Sequence, residues 1–144
     1  MIEQMKEILV AVDGSKSASK ALSMAVLLAK SSHAVLDILY VTTFDSDTDT
    51  KSPSWLPKSV TKPTGPELHA VLKKAEDQVG GAVPVHICHA TGVPTTEILR
   101  FADEHKVDAI VIGGRGLGRV EGFFLGSVSQ EIMQKAERTV IVVK

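Results

Sequence analysis

Two segments of the chain carry residue types suited to holding a negatively charged ligand. One reads Gly113-Gly114-Arg115-Gly116-Leu117-Gly118, continues to Gly122 and closes on Gly126-Ser127-Val128-Ser129. Without a Cβ, glycine lets a backbone approach an anion closely and aim successive N–H groups at it. A helix opening near Gly126-Ser127 adds unpaired N–H groups and the positive end of its dipole at the same place. Ser127 and Ser129 could donate hydroxyl protons to phosphate oxygens, and Arg115 could supply charge. The second segment is Asp13-Gly14-Ser15, an acidic turn. Asp13 could face a ligand or simply cap the helix that follows, since Asp and Ser both satisfy free N–H groups at a helix start.

Familiar phosphate motifs are absent. No Lys precedes Ser127, so the segment is not a Walker A loop, and the G-x-G-x-x-G fingerprint, which belongs after a first strand, is missing. A tight strand-to-helix turn without any ligand would also be glycine-rich. His86, Cys88 and His89 resemble a metal cluster, but on a strand His86 and Cys88 share one face while His89 points to the other. Three ligands do not converge there, and no metal site is expected. His33, His69 and His105 lie in or beside expected helices, far apart in sequence, and read as surface residues. Ser15 lacks a G-x-S-x-G elbow and an implied His, so no catalytic residue is expected. Cys88 falls in an expected buried strand, where thiols are usually inert.

The elements that would position these segments alternate. Ile8–Val12 is an unbroken apolar run of the kind covered on both faces in a parallel sheet. Ala18, Ala21, Leu22, Ala25, Leu28 and Ala29 recur at helical spacing, predicting a helix over about 17–31. Val35–Val41 reads as a second strand, interrupted by Asp37. Leu68, Val71, Leu72, Ala75 and Val79 mark a second helix ended by Gly80-Gly81. Val83–Ala90 reads as a third strand with Pro84 near its beginning. Ile98, Leu99 and Ala102 mark a third helix, with Pro94 in its first turn and Glu97 near the positive dipole end. Ala109–Ile112 is a fourth strand, Val128, Ile132, Met133 and Ala136 a fourth helix, and Thr139–Val143 a fifth strand. This alternation implies right-handed βαβ units and a parallel sheet with helices on both faces. The stretch 43–65, rich in Ser, Thr, Asp and Pro, is long for a loop; its Trp55 either packs beneath it or covers a ligand.

Bulk properties narrow the partners. With 144 residues, 44% hydrophobic and 23% charged, residues 1–144 fit one globular domain. The net charge is −1 and the sixteen basic residues are scattered, so nucleic acid is not an expected partner. No apolar run approaches the roughly 20 residues needed to cross a bilayer. One cysteine excludes an internal disulfide, and the charged start, Met1–Lys6, does not read as a signal peptide, so a cytoplasmic location is expected.

The spacing Gly113-x-x-Gly116, nine residues, then Gly126-Ser127 resembles the nucleotide-binding signature of the universal stress protein family. The similarity extends over essentially the whole chain. It takes in Val10-Ala11-Val12-Asp13-Gly14-Ser15, Gly92-Val93-Pro94, Val107-Asp108 and the closing Val140–Val143. The resemblance implies an open, Rossmann-like sheet of five parallel strands in order 3-2-1-4-5 and four helices on both faces. It also implies ATP binding, with Mg²⁺ as an accompanying ion. Carried onto this sequence, Asp13 would contact ribose or adenine, with the backbone near Ala11 and Val12 beside it. The main chain of Val41 would meet the adenine edge, and Gly113, Arg115, Gly116, Gly126, Ser127, Val128 and Ser129 would surround ribose and phosphates. A homodimer through the edge strand Thr139–Val143 is implied as well.

Two positions depart from the family pattern. Ala136-Glu137-Arg138-Thr139 stands where prolines are common, and Glu121 lies near the expected phosphates. The family implies a nucleotide-dependent sensor or regulator in stress response. A slow ATP hydrolase and a nucleotide-free scaffold are the alternatives.

Overall fold

Strand β1 (Glu7–Val12) runs through the centre of the sheet, with Ile8, Leu9 and Val10 wholly shielded from solvent. The computed structural model describes residues 5–42, 65–114 and 127–144. Around β1 lie β2 (Val35–Thr42), β3 (Val85–Thr91), β4 (Ala109–Gly113) and β5 (Thr139–Val143). All adjacent pairs are parallel, and the order is β3-β2-β1-β4-β5. This is the expected open five-stranded sheet.

Side-chain alternation along β1 feeds two cores. Ile8, Val10 and Val12 join Ala18, Ala21, Leu22 and Ala25 of α1 (Lys16–Ser32) and Ala75 and Val79 of α2 (Gly65–Val79) on one face. Leu9 and Ala11 join Ile98 and Ala102 of α3 (Pro94–His105) and Ile132 of α4 (Ser127–Lys135) on the other. Helices on both faces are what continuous apolar strands require.

The helix ends follow local chemistry. Ser15 is the N-cap of α1, its Oγ accepting from the Ala18 N–H at 3.1 Å. Helix α1 stops at His33 and α3 at Lys106, both in the left-handed conformation, whereas α2 runs into Gly80 and Gly81, where positive φ carries no Cβ penalty.

Most element ends fall within a single residue of expectation, and two differences are larger. Strand β3 begins at Val85, two residues later than predicted: Val83 is buried, but Pro84 has no N–H to give a ladder, and its carbonyl accepts from the Leu36 N–H just before pairing starts. Met133, predicted on the buried face of α4, is half exposed, and Ala136 follows the helix rather than ending it.

The Val107-Asp108 pair has a structural role. Val107 is buried, and the Asp108 carboxylate accepts from the Lys6 and Glu7 N–H groups at 2.7 and 3.0 Å while its own N–H donates to the Glu7 carbonyl. The start of β4 is thereby tied to the start of β1. Arg138, in the segment that departs from the family pattern, donates to the Val107 carbonyl at 3.2 Å and to Asp103 at 3.0 Å. It fastens the turn before β5 to the end of α3.

Candidate functional site

The centre of the sheet opens at its C-terminal end. Residue pairs between β1 and β2 continue to Val12↔Tyr40, but those between β1 and β4 stop at Val10↔Val111. Ala11–Asp13 and Ile112–Gly113 therefore run on beyond the last rung as two separating chains. The helices that follow β1 and β4, α1 and α4, lie on opposite faces of the sheet, the arrangement in which open α/β sheets form their ligand crevice. Val41 likewise lies one residue past the last β1–β2 pair, leaving the side of its main chain that faces β1 beyond the ladder.

A hollow of about 250 Å³, part of it open to solvent, occupies this position. Ala11, Asp13, Ile112, Gly113, Val128 and Ser129 line it together with Ala18, which the sequence pattern marks as part of the apolar face of the first helix and not as a site residue. A larger hollow of about 290 Å³ lies between α1 and α2, lined by residues that include Leu22, Val71, Lys74 and Gln78. It is the weaker candidate. Its polar Gln78 amide is already committed to the Ser19 carbonyl and the Ser23 hydroxyl, and it touches the end of β1 alone.

Asp13 is half-buried, and its Oδ1 accepts from the Ser15 N–H at 2.9 Å. That bond is a turn across Gly14, whose φ of +88° suits glycine. Capping of α1 belongs to Ser15, so Asp13 fixes the turn rather than the helix. Ser129 is buried, and its hydroxyl donates to the Gly113 carbonyl at 2.8 Å, joining the first turn of α4 to the end of β4. The hydroxyl proton expected to reach phosphate is directed at protein. Gly113 itself is crowded: a Cβ there would stand 2.7 Å from the Ser17 carbonyl carbon and oxygen. Its missing side chain lets β4 pass α1. Gly114 is different, since a Cβ there meets only ordinary contacts, and its N–H donates to the Val143 carbonyl at 2.9 Å.

Of the other residues expected to surround phosphate, Ser127 opens α4, and Arg115, Gly116 and Gly126 lie outside the described residues, as do Glu121 and Trp55. The structure thus gathers Ala11, Asp13, Gly113, Val128 and Ser129 around one hollow, with Val12 and Val41 on the strand ends beside it. The first-turn N–H groups of a helix have no partners within it, so the start of α4 offers donors suited to an anion. No acidic residue stands in that first turn. Asp13 is the only ionisable group among the seven lining residues.

The histidines divide as expected. His89 accompanies Tyr40 and Thr42, its Nε2 lying 2.7 Å from the Thr42 hydroxyl, while His86 and Cys88 project from the other face of β3. Burial raises the Cys88 pKa, helped by the nearby charges of Asp37 and Glu7, so the thiol stays protonated at neutral pH. Among the described residues, no helix is long and apolar enough to cross a membrane.

Comparison with known proteins gives a consistent picture. Residues 5–144 match the model of the universal stress protein family. Universal stress protein YxiE of Bacillus subtilis is 33% identical over 145 residues, covering 96% of this chain and 98% of its own. Universal stress protein MJ0531 of Methanocaldococcus jannaschii is 33% identical over 141 residues, covering 96% and 82%. Among solved structures, UspA from Lactobacillus plantarum superposes with a TM-score of 0.81 at 24% identity, over 99% of this chain and 100% of that one. A universal stress protein in complex with cAMP superposes with a TM-score of 0.72 at 25% identity, over 98% of each chain.

Proposed function

The chain belongs to the universal stress protein family, and from that premise we propose that it binds ATP between the C-terminal ends of β1 and β4. It then acts as a nucleotide-dependent regulator in a stress response. The observation that carries this reading is the early end of β1–β4 pairing at Val10↔Val111, which leaves Asp13 facing the start of α4 across a hollow. A relative of the same fold is known in complex with cAMP, which supports an adenine nucleotide as the ligand.

In this arrangement adenine meets the main chain of Ala11, Val12 and Val41, where strand edges extend past their ladders. Asp13, held in place by the Ser15 N–H, accepts from a ribose hydroxyl. The phosphates meet the first-turn N–H groups of α4, at Ser127, Val128 and Ser129, and the glycine-rich segment with Gly113, Arg115, Gly116 and Gly126. The described donor set suits such a ligand: the helix start attracts negative charge, and its first turn has no carboxylate to repel it. Mg²⁺ would supply charge neutralisation on the phosphates. Strand β5, at the edge of the sheet, is the surface through which two copies would pair.

Thermal unfolding with and without nucleotide tests the reading. At a hundredfold excess over its dissociation constant, ATP stabilises by about 2.7 kcal/mol, a rise of several degrees in Tm. A rise without released phosphate supports the regulator. A rise accompanied by phosphate release makes the protein a slow hydrolase, and no rise with any adenine nucleotide makes it a scaffold.

A further inference from the structure

At the opposite end of the sheet from the nucleotide crevice, three potential metal ligands meet on the face covered by α3 and α4. Glu7 begins β1, Asp37 is the third residue of β2, and His86 is the second of β3. Asp37 is directly paired with both Leu9 and His86 across the parallel ladder, so three neighbouring strands deliver one side chain each to the same place. One ligand atom from each lies within 4.8 Å of the others. His86 Nδ1 is 3.0 Å from Asp37 Oδ1, close to the spacing of two ligands that share an ion at bond lengths of about 2.0–2.2 Å.

The state of Asp37 is what distinguishes this cluster from ordinary surface acidity. Its side chain is only 1% exposed. Its Oδ2 is buried and has no hydrogen-bond partner. An unpartnered carboxylate oxygen in a protein interior is costly unless something positive meets it. Among the described residues, the carboxylate gathered with it is that of Glu7, which repels it unless a proton or a cation is shared between them. His86, with 66% of its side chain exposed, leaves a route open from solvent.

We propose that Glu7, Asp37 and His86 form a binding site for a first-row divalent transition ion, of which Zn²⁺ is the representative. The three donors would leave the remaining coordination positions to water. One imidazole with two carboxylates favours such an ion over Mg²⁺ or Ca²⁺, which prefer all-oxygen sites. Cys88, on the same face, is not one of the three residues whose ligand atoms gather here, and its Sγ is directed towards the His86 carbonyl at 3.9 Å. The six residues of β1 separate this cluster from Asp13 by roughly 20 Å at about 3.3 Å per residue, so the two sites are distinct.

Titration of the chelator-treated chain with Zn²⁺, followed by calorimetry, tests the site. Wild-type protein should take up one Zn²⁺ per chain here. His86→Ala and Glu7→Gln should each weaken that uptake by about tenfold or more. His89→Gln, on the opposite face of β3, should leave it unchanged. Because Asp37→Asn risks the fold, a second readout uses wild-type protein: Co²⁺ should perturb the amide resonances around Glu7, Asp37 and His86 and spare those around Asp13 and Gly113. No uptake, uptake equal in wild type and His86→Ala, or perturbation centred elsewhere would overturn the assignment.

Discussion

Gly113 and Ser17 pass so closely that a single methyl group on Gly113 would come within 2.7 Å of the Ser17 carbonyl. The glycine at the mouth of the nucleotide crevice is thus required by the packing of β4 against α1, before any ligand is considered. Backbone of this kind cannot yield as a flexible side chain would. Gly113→Ala should destabilise the nucleotide-free protein by about 1–3 kcal/mol, measured by urea unfolding. An unchanged midpoint would mean that α1 moves aside freely.

Asp13 gives the complementary case. Its Oδ1 accepts one N–H bond from Ser15, a bond that the amide oxygen of Asn can also accept. Asp13→Asn should leave stability within about 0.5 kcal/mol of wild type. It should weaken ATP binding by about 1.5–3 kcal/mol, the worth of a hydrogen bond to a charged acceptor. Urea unfolding checks the first and calorimetric titration the second, and equal affinity in the two proteins would remove Asp13 from the site.

Ser129 carries a different bond. Its buried hydroxyl donates to the Gly113 carbonyl, so Ser129→Ala leaves that acceptor unpaired beside the hollow. The expected cost is about 1–3 kcal/mol of stability. The effect on ATP affinity should be smaller than that of Asp13→Asn. Thermal melts of the apo protein settle the first point.

In chelator-treated protein, the raised pKa of Glu7 sets a pH dependence. A carboxyl whose pKa rises from 4.5 unfolded to about 7 folded is favoured in its protonated form by folding. The unfolded chain then binds fewer protons between those values, so stability falls as pH rises from about 4.5 to 7 and levels off above. Glu7→Gln should flatten this part of the profile and raise stability most above pH 7. Unfolding midpoints at pH 5 and pH 8 provide the check, and parallel profiles for the two proteins would contradict it.

Much of the fold was legible because its signals are local. The run Ile8–Val12 announces a strand covered on both faces, and Ala18, Ala21, Leu22 and Ala25 announce the helix that covers it. Pro84 blurred a boundary because apolar residues continue on both sides of it, and only the ladder shows where pairing begins. In the crevice, Asp13 and Gly113 stood out by residue type. Ser129 stood out as well, but its bond to the Gly113 carbonyl did not, and neither did the Gly113–Ser17 approach, since both join residues from different elements. The Glu7–Asp37–His86 cluster was hidden for the same reason. The one sign in the sequence was Asp37 interrupting an apolar strand, because the residues that complete the cluster with His86 come from neighbouring strands and not from His86, Cys88 and His89 along one strand.

The crevice itself is tested most directly by adding ATP to isotopically labelled protein and following backbone amide resonances. A nucleotide held between β1 and β4 should shift Ala11, Val12, Asp13, Val41, Gly113, Gly114 and Val128 saturably, while Glu7 and His86 at the far end stay in place. Saturable shifts that leave these crevice amides unmoved, or none at all, would contradict nucleotide binding at this site.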